Sequence, residues 1–359
     1  MQPVALKFRL CSPSHIQDIL NSVAPSPHGH PVKKTCAGHD IILGEYRMKT
    51  KTLIAAGIAA LLAGPVSAET IGVSIANFDD NGLTIMRNGM TAHLETLEGV
   101  DLQMEDAQED VAKQLDQINN FVASGVDAII VNAVDTDATE AMSNAAKAAG
   151  IPLVYVNRQP GNMATLPDGQ AFVASNEIES GTLAAFRMCQ DLRAAGKSGG
   201  ASAYMLMGRL SNQAAVQRSK DFHDVIGMDM CNFITLIDEQ TANWSRDEAQ
   251  DMMSNWIASG EPFDAVFGNN DEMAIGAIQA MKASGIDMDD VVVGGVDATP
   301  DALVSMQAGE MDVTVFQDLA GQGAGSIDTA VKLAKGEKVD KTVFIPFKLV
   351  TPENVKDFM

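Results

Sequence analysis

Short apolar runs alternate with longer amphipathic segments along residues 70–347. The run 71–76 is continuous and apolar, which is typical of a strand buried on both faces of a parallel sheet. The segment after it places Leu83, Met86 and Met90 on one face of a helix. Because such pairs of strand and helix repeat with short connections, the pattern predicts βαβ units with right-handed crossovers.

The alternation falls into two series, which are separated by a stretch rich in Pro and Gly at 160–169. Strands are predicted at 71–76, 100–104, 128–134, 152–157, 171–175, 203–207, 233–237, 265–268, 291–296 and 313–316. Helices between the later strands are predicted near 138–149, 180–193, 212–226, 245–258, 272–284 and 299–308. Two series indicate an α/β protein with two doubly wound parallel-sheet lobes, and the site is expected in the cleft between them.

The segment before the first strand has the layout of a secretory signal peptide. Basic residues at 48–51 precede an apolar run at 53–64, and the small residues of 66–68 suit cleavage. The run is shorter than the ~20 apolar residues of a membrane-spanning helix, although an anchor is the alternative. We expect a signal peptide at 48–68, a periplasmic protein that begins at Glu69, and an upstream translation artefact at 1–47. A genuine extra domain is the alternative for 1–47.

The composition excludes several classes of function. The chain carries a net charge of −22, and removal of the first 68 residues would make it −26, so nucleic acid is not an expected partner. Only His93 and His223 remain after residue 68, which argues against a metal site built from several His and against most His-based catalysis. Cys189 and Cys231 also remain, and in an exported chain they are a candidate disulfide, with two free buried thiols as the alternative.

Polar residues follow five of the predicted strands directly. In an open parallel sheet, ligands bind at the carboxyl ends of the strands, so these residues are expected to converge. Amides, carboxylates and an arginine without a nucleophile motif indicate a site that holds a polar ligand and does not transform it. The strand ends are Asn77-Phe78-Asp79-Asp80, Asn157-Arg158, Asn269-Asn270-Asp271, Asp297 and Gln317-Asp318.

Each of these residues also has a structural interpretation. Arg158 suits paired hydroxyl oxygens but could serve in a surface ion pair. Asp271 is a sensible N-cap for the helix that follows, which makes Asn270 the better ligand candidate. Asp297 could cap the helix after Thr299, although Thr299 could do so itself. A loop aromatic, Trp244, could pack on the C–H face of a sugar ring or simply fill the core.

Four motifs identify a known family. They are Val154–Arg158, Asn270–Gly276, Gly294–Asp297 with Thr299-Pro300, and Thr314–Gln317. Over nearly its full length after residue 68, the chain resembles the periplasmic sugar-binding proteins of ABC importers. The resemblance is greatest to the ribose-binding group, and within it to members that bind inositol or rhizopine.

The resemblance implies a set of ligand-binding residues. By position these are Asp80, Asn157, Arg158, Arg218, Trp244, Asn270, Asp297 and Gln317. The chain departs from the family at Gly82 and Leu83, where aromatics are usual, so the cavity wall is expected to be open there and Phe78 is the candidate replacement. Asn157 also replaces the usual Asp, which changes the expected hydroxyl preference.

The resemblance also implies how the lobes are connected. Three hinge strands would join a first lobe of 70–172 plus 318–345 to a second lobe of 173–317 plus 346–359. We therefore expect a monomeric binding protein, without a cofactor, metal or enzymatic activity, that closes on its ligand and delivers it to an ABC permease in the inner membrane. A chemoreceptor is a further candidate partner.

The best candidate ligand is a sugar or cyclic polyol such as myo-inositol or a rhizopine-like compound. A pentose or a linear sugar alcohol is the nearer alternative. A sugar-sensing repressor core is more distant, because it needs a helix-turn-helix and a basic face. A secreted glycosidase with two carboxylates is a third class, but amides and Arg dominate the strand ends.

Overall fold

A computed structural model of the chain describes residues 68–359. The expected artefact at 1–47 and the expected signal peptide, apart from Ala68, lie outside the described residues. In the described part of the chain, no helix has the length and apolar character needed to cross a bilayer.

The first lobe is a six-stranded parallel sheet with helices on both faces, and its strand order is β11-β5-β4-β3-β1-β2. Its strands are β1 (Glu69–Ile75), β2 (Val100–Asp106), β3 (Ala128–Val131), β4 (Leu153–Val156), β5 (Gln170–Ala174) and β11 (Thr342–Phe344). Its helices are α1 (Asn81–Leu94), α2 (Val111–Ser124), α3 (Thr139–Ala149) and α9 (Leu319–Ala334). Strands β3 and β4 are wholly buried, as expected where helices cover both faces of a sheet.

The second lobe is a four-stranded parallel sheet in the order β7-β6-β8-β9, with a small two-stranded sheet beside it. Its strands are β6 (Ala201–Met207), β7 (Ile234–Thr241), β8 (Ala265–Gly268), β9 (Val292–Gly294), β10 (Thr314–Phe316) and β12 (Lys348–Val350). Its helices are α4 (Glu177–Ala194), α5 (Gln213–Ile226), α6 (Arg246–Ser259), α7 (Asp271–Ala283) and α8 (Pro300–Gln307). Short 3₁₀ turns lie at Met163–Thr165, Met288–Asp290 and Val355–Phe358.

The chain passes between the lobes three times. It leaves the first sheet after β5, returns to it between β10 and α9, and leaves it again between β11 and β12. Strand β11 pairs in parallel with β5, whereas β12 pairs antiparallel with β10. The predicted fold class, two parallel-sheet α/β lobes, is confirmed.

A disulfide joins Cys189 in α4 to Cys231 in the turn before β7. The two Cα atoms are 5.7 Å apart, and both residues are buried in the core of the second lobe. The bond therefore fastens the C-terminal half of α4 to the segment that leads into an edge strand of the sheet.

Candidate functional site

A polar cavity of about 430 Å³, part of it open to solvent, lies between the two lobes. Eight of the nine residues expected to bind ligand line it, and Glu177 joins them. Both lobes contribute, which is what a site at the carboxyl ends of two parallel sheets requires. The lining residues are Asp80, Gly82, Leu83, Asn157, Arg158, Glu177, Ala214, Arg218, Trp244, Asn270, Asp297, Gln317 and Leu319.

Gly82 lines the cavity, and a side chain there would meet close neighbours. A methyl group added at Gly82 would lie 3.3 Å from Asp80 Oδ1 and 3.3 Å from a methyl carbon of Leu319. Asp80 itself is the N-cap of α1, where its Oδ1 accepts from the Leu83 amide at 2.8 Å. The absence of a side chain at Gly82 therefore leaves room for Asp80 and Leu319.

Phe78 does not line the cavity. Its ring lies under the Arg87 guanidinium, with Cζ 3.9 Å from the ring centroid, and Arg87 Nη2 donates to the Phe78 carbonyl at 2.8 Å. A cation over a ring face is held by the ring quadrupole. This contact, made within the first lobe, explains why Phe78 is not the replacement aromatic that the sequence suggested.

Asn157 follows β4 with a φ of 67°, a left-handed conformation that Asn tolerates better than most residues. Its side-chain amide is committed to neighbouring protein atoms. Nδ2 donates to Gln322 Oε1 at 3.0 Å, and Oδ1 accepts from Asn132 Nδ2 at 3.3 Å. The left-handed turn directs the chain so that the next residue, Arg158, enters the cavity wall.

The Arg158 side chain is buried and does not belong to a surface ion pair. Its Nη1 donates to the Ala133 carbonyl at 2.8 Å, and its nearest carboxylate oxygen, on Glu109, is 3.9 Å away. Burial lowers the pKa of Arg158, and the negative charges of Glu109 and Asp80 oppose that effect. With one side-chain hydrogen bond to the described residues, the guanidinium keeps most of its donors for a ligand.

Arg218, in contrast, is saturated by the protein. Its Nε and Nη2 donate to the two oxygens of Glu177 at 2.8 and 3.0 Å, and its Nη1 donates to the Asn269 carbonyl at 2.8 Å. Nη2 also lies 3.3 Å from Gln317 Oε1. Burial alone would lower the pKa of Arg218, but the carboxylates of Glu177, Asp297 and Asp271 together outweigh burial and raise the pKa.

Sequence reasoning missed Glu177. It is the first residue of α4, directly after the first connection between the lobes, and it is buried. An acidic residue in the first turn of a helix usually indicates only a favourable interaction with the helix dipole. Its place two residues after Ser175, at the carboxyl end of a predicted strand, was the signal that could have identified it.

The capping role expected of Asp271 belongs to Asn270. Asn270 is the N-cap of α7, and its Oδ1 accepts from the Met273 amide at 3.0 Å. Asp271 is fully buried and accepts from the Thr299 amide at 2.8 Å and from Thr314 Oγ1 at 2.6 Å. Burial raises the pKa of Asp271 to about 7. Asn270 nonetheless lines the cavity, with Nδ2 only 3.5 Å from the Trp244 carbonyl.

Trp244 is held from two sides. Its Nε1 donates to Asn212 Oδ1 at 2.9 Å. Any side chain at Gly208 would overlap the indole, so glycine there allows the ring to lie against the backbone. The residue is half-buried, and the ring forms part of the cavity wall.

Asp297 combines an unusual backbone conformation with a carboxylate that accepts no hydrogen bond from the described residues. Its φ is 123°, a strained conformation for a residue other than glycine. Thr299, not Asp297, caps α8. Within residues 68–359 no donor lies within hydrogen-bond distance of the carboxylate, and Arg218 Nη1 is 3.9 Å away. Burial and the negative charges of Asp271, Asp80 and Glu177 raise the pKa of Asp297 well above its usual range. The positive charge of Arg218 opposes them but does not cancel them.

The cavity is lined mainly by polar and charged side chains. Its lining contains no His, Cys, Ser or Lys. Across the described residues, no group of three or more His, Cys, Asp or Glu is arranged to hold a metal ion. Three carboxylates face two guanidinium groups, so the wall offers both donors and acceptors to a polyhydroxyl compound.

Known proteins resemble this chain over most of its length. A Rhizobium meliloti protein named "Putative rhizopine-binding protein" is 58% identical over 308 residues, which cover 86% of this chain and 98% of the relative. A solved ABC transporter solute binding protein from Bacillus halodurans C-125, with bound myo-inositol, is 39% identical with a TM-score of 0.74, covering 82% of this chain and 98% of its own.

A second solved structure, the Caulobacter myo-inositol binding protein bound to myo-inositol, is 26% identical with a TM-score of 0.73 and covers 81% of this chain and 96% of its own. The sequence model of the family described as "Periplasmic binding protein domain" matches residues 71–338. With that match and a relative of 58% identity, the chain belongs to the periplasmic binding protein family.

Proposed function

We propose that this protein is the periplasmic substrate-binding component of an ABC importer, and that its ligand is myo-inositol or an amino derivative of an inositol. The observation that carries the proposal is the cavity between the lobes, to which Arg158 in the first lobe and Asp297 in the second contribute polar groups without saturating protein partners. The relatives support the ligand class, since one is named for rhizopine and two solved structures hold myo-inositol.

A ring with equatorial hydroxyls suits this wall. Hydroxyls at its rim can accept from Arg158 and donate to the Asp297 carboxylate, with Asn270 and Gln317 as further partners. The C–H faces of the ring remain free to pack on the Trp244 indole. A linear alditol has no such face and would lose rotational freedom on binding, which weakens its affinity.

The charges favour an amino derivative over the parent inositol. The Asp297 carboxylate accepts no hydrogen bond from the described residues, and one oxygen of Asp80 accepts none there either. An ammonium group on the ligand would give these carboxylates the counter-charge that Arg218, committed to Glu177, supplies only at 3.9 Å. An amine is therefore expected to bind with its nitrogen toward Asp297.

Calorimetry on a panel of ligands tests the proposal. The panel comprises myo-inositol, an amino-inositol, ribose, glucose and xylitol, each titrated into ligand-free protein. We expect the two inositols to bind more tightly than the other three. Ribose or xylitol binding tenfold tighter than both inositols would refute the ligand assignment and favour the pentose or linear-alcohol alternative.

Delivery to a permease follows from closure of the lobes on the ligand. A ligand stabilises the closed form only by its extra contacts with the second lobe, here those around Asp297 and Trp244.

The exported protein would begin at Glu69 after removal of the apolar segment, and the intact mass of periplasmic protein measures this start. A secreted species that still carries residues 1–47 would contradict the expected start.

A further inference from the structure

The lobes also touch outside the ligand cavity. The loop after β3 meets the loop before α5, where the Thr136 amide and Thr136 Oγ1 each donate to the Ser211 carbonyl at 3.0 Å. Beside them, Asn212 Nδ2 donates to the Val134 carbonyl at 3.0 Å. These three hydrogen bonds join backbone or side chains of opposite lobes, so they exist only while the lobes are together.

Asn212 is unusual among them because it makes a second contact. Its Oδ1 accepts from Trp244 Nε1 at 2.9 Å, so one amide group joins the first lobe to the aromatic wall of the cavity. The orientation of this amide is fixed by chemistry, since an indole N–H can only donate and a carbonyl oxygen can only accept. Asn212 is fully buried, so water does not compete for either contact.

The side chain of Asn212 does not cap the helix that follows it. It occupies the N-cap position of α5, where an Asn side chain normally accepts from an amide of the first helical turn. No such capping hydrogen bond is made. When the lobes separate, the Val134 carbonyl leaves, and capping α5 becomes the alternative use of the same side chain.

We propose that Asn212 is a positioning residue that couples closure of the lobes to the orientation of Trp244. In the closed form it is drawn to Val134 and presents its oxygen to the indole, which fixes the ring against the ligand. In the open form it is released to cap α5, and the indole loses its acceptor. This inference rests on the proposed function, because it assigns the packing of Trp244 on a bound ring to the closed state.

Two substitutions separate the contacts. Asn212→Asp keeps an acceptor for Trp244 and a good N-cap, but it removes the donor to Val134. Asn212→Ala removes both contacts. Asn255→Asp is the matched control for added charge, because Asn255 is an exposed residue on α6 of the same lobe.

Stopped-flow binding of the tightest ligand from the calorimetric panel is the first measurement. We expect Asn212→Asp to weaken affinity by about 5- to 150-fold, mainly through a faster dissociation rate, because a buried carbonyl loses its donor only in the closed form. Asn255→Asp should change affinity less than about twofold. A dissociation rate unchanged in Asn212→Asp would overturn the proposal.

A double-variant cycle with Trp244→Phe tests the coupling itself. Phe keeps an aromatic face but has no N–H to give to Asn212. If Asn212 acts through Trp244, the affinity losses of Asn212→Ala and Trp244→Phe will be clearly less than multiplicative when combined. Multiplicative losses would show that the two residues act independently, and would refute the coupling.

A spectroscopic measurement with and without ligand keeps this inference distinct from the assignment of the ligand. The chain has two Trp, Trp244 and Trp256, so protein labelled with 5-fluorotryptophan gives one ¹⁹F resonance for each, assigned with Trp244→Phe. Without ligand, the Trp244 resonance of Asn212→Ala should lie close to that of wild type; on saturation with the tightest panel ligand it should shift clearly less than in wild type. If no panel compound binds, the proposed function fails, while a ligand-induced Trp244 shift as large in Asn212→Ala as in wild type, or a large difference between the two proteins without ligand, refutes the role of Asn212.

Discussion

Substitution of the two cavity arginines is expected to affect different properties, ligand affinity for Arg158 and stability for Arg218. Arg158 gives the sharper test. Arg158 has a single side-chain hydrogen bond to the described protein, whereas Arg218 has four donor contacts, two of them to Glu177. Arg158 is therefore set up to bind the ligand, and Arg218 to hold the cavity wall in place. Arg158→Ala should reduce ligand affinity with little effect on the stability of the ligand-free protein.

The expected magnitude follows from the contacts. In the closed complex, ligand hydroxyls that face Arg158 would be buried without a donor after the substitution, at a cost of roughly 1–3 kcal/mol. Since about 1.4 kcal/mol is tenfold in affinity, the loss should be about 5- to 150-fold. The ligand-free protein loses the hydrogen bond to the Ala133 carbonyl and the 3.9 Å contact with Glu109. Because water can enter the open cavity and replace the lost donor, the unfolding free energy should fall by only about 1 kcal/mol.

Calorimetry for affinity and urea unfolding without ligand are the two assays. Arg158→Lys is the matched control: it keeps the charge but not the planar fork of donors, so its affinity should fall between wild type and Arg158→Ala. Unchanged affinity in Arg158→Ala would refute the site assignment. A loss of stability as large as the loss of binding free energy would refute the division of roles between the arginines.

Three further predictions concern stability. Arg218→Ala should lower the free energy of unfolding by about 3–5 kcal/mol, because Glu177 stays buried without its partner, and Arg218→Ala/Glu177→Ala should recover part of it in urea titrations. Reduction of the disulfide between Cys189 and Cys231, which are 42 residues apart, should lower the free energy of unfolding by up to about 4 kcal/mol. Unfolded protein that has not been reduced should show no free thiol. Burial raises the pKa of Asp221 to about 8, so its contribution to stability is complete below pH 4 and is lost as pH rises toward 8. Asp221→Asn should flatten that decline, and an unchanged slope between pH 5 and 8 would contradict the assignment.

The sequence predicted the parallel sheets well because strands buried on both faces are almost wholly apolar. The predicted strand at 265–268 coincides with β8, and the core of each longer strand was found. Ends were less certain: the prediction at 128–134 extends three residues beyond β3, since Ala133 and Val134 stay buried after leaving the sheet. Strands β11 and β12 were missed: they are as short as β9 and β10 but are partly exposed, so no buried apolar run marks them.

The convergence of strand ends was predictable, but the partners of individual side chains were not. Topology alone brings the residues after parallel strands to one edge, and six of the strand-end candidates line the cavity there. Which of two adjacent good caps is used depends on tertiary contacts, and for Asp271 the amide of Thr299 and the hydroxyl of Thr314 decide it. Phe78 was misassigned because its partner, Arg87, lies on the following helix, and a lone Arg there carries no distinguishing signal.

The network around Arg218 gives a physical reason for the two arginines to differ. Glu177 stands just after the first connection between the lobes, and Gln317 stands at the second. Arg218 donates to both, so it ties two hinge connections to α5 while its other face reaches Asp297 in the cavity. The Arg218 guanidinium therefore has to be fixed before the ligand binds, because loss of these hydrogen bonds would free the two connections between the lobes. Arg158, on the opposite lobe and away from the connections, is free of that constraint, so its donors can be kept for the ligand.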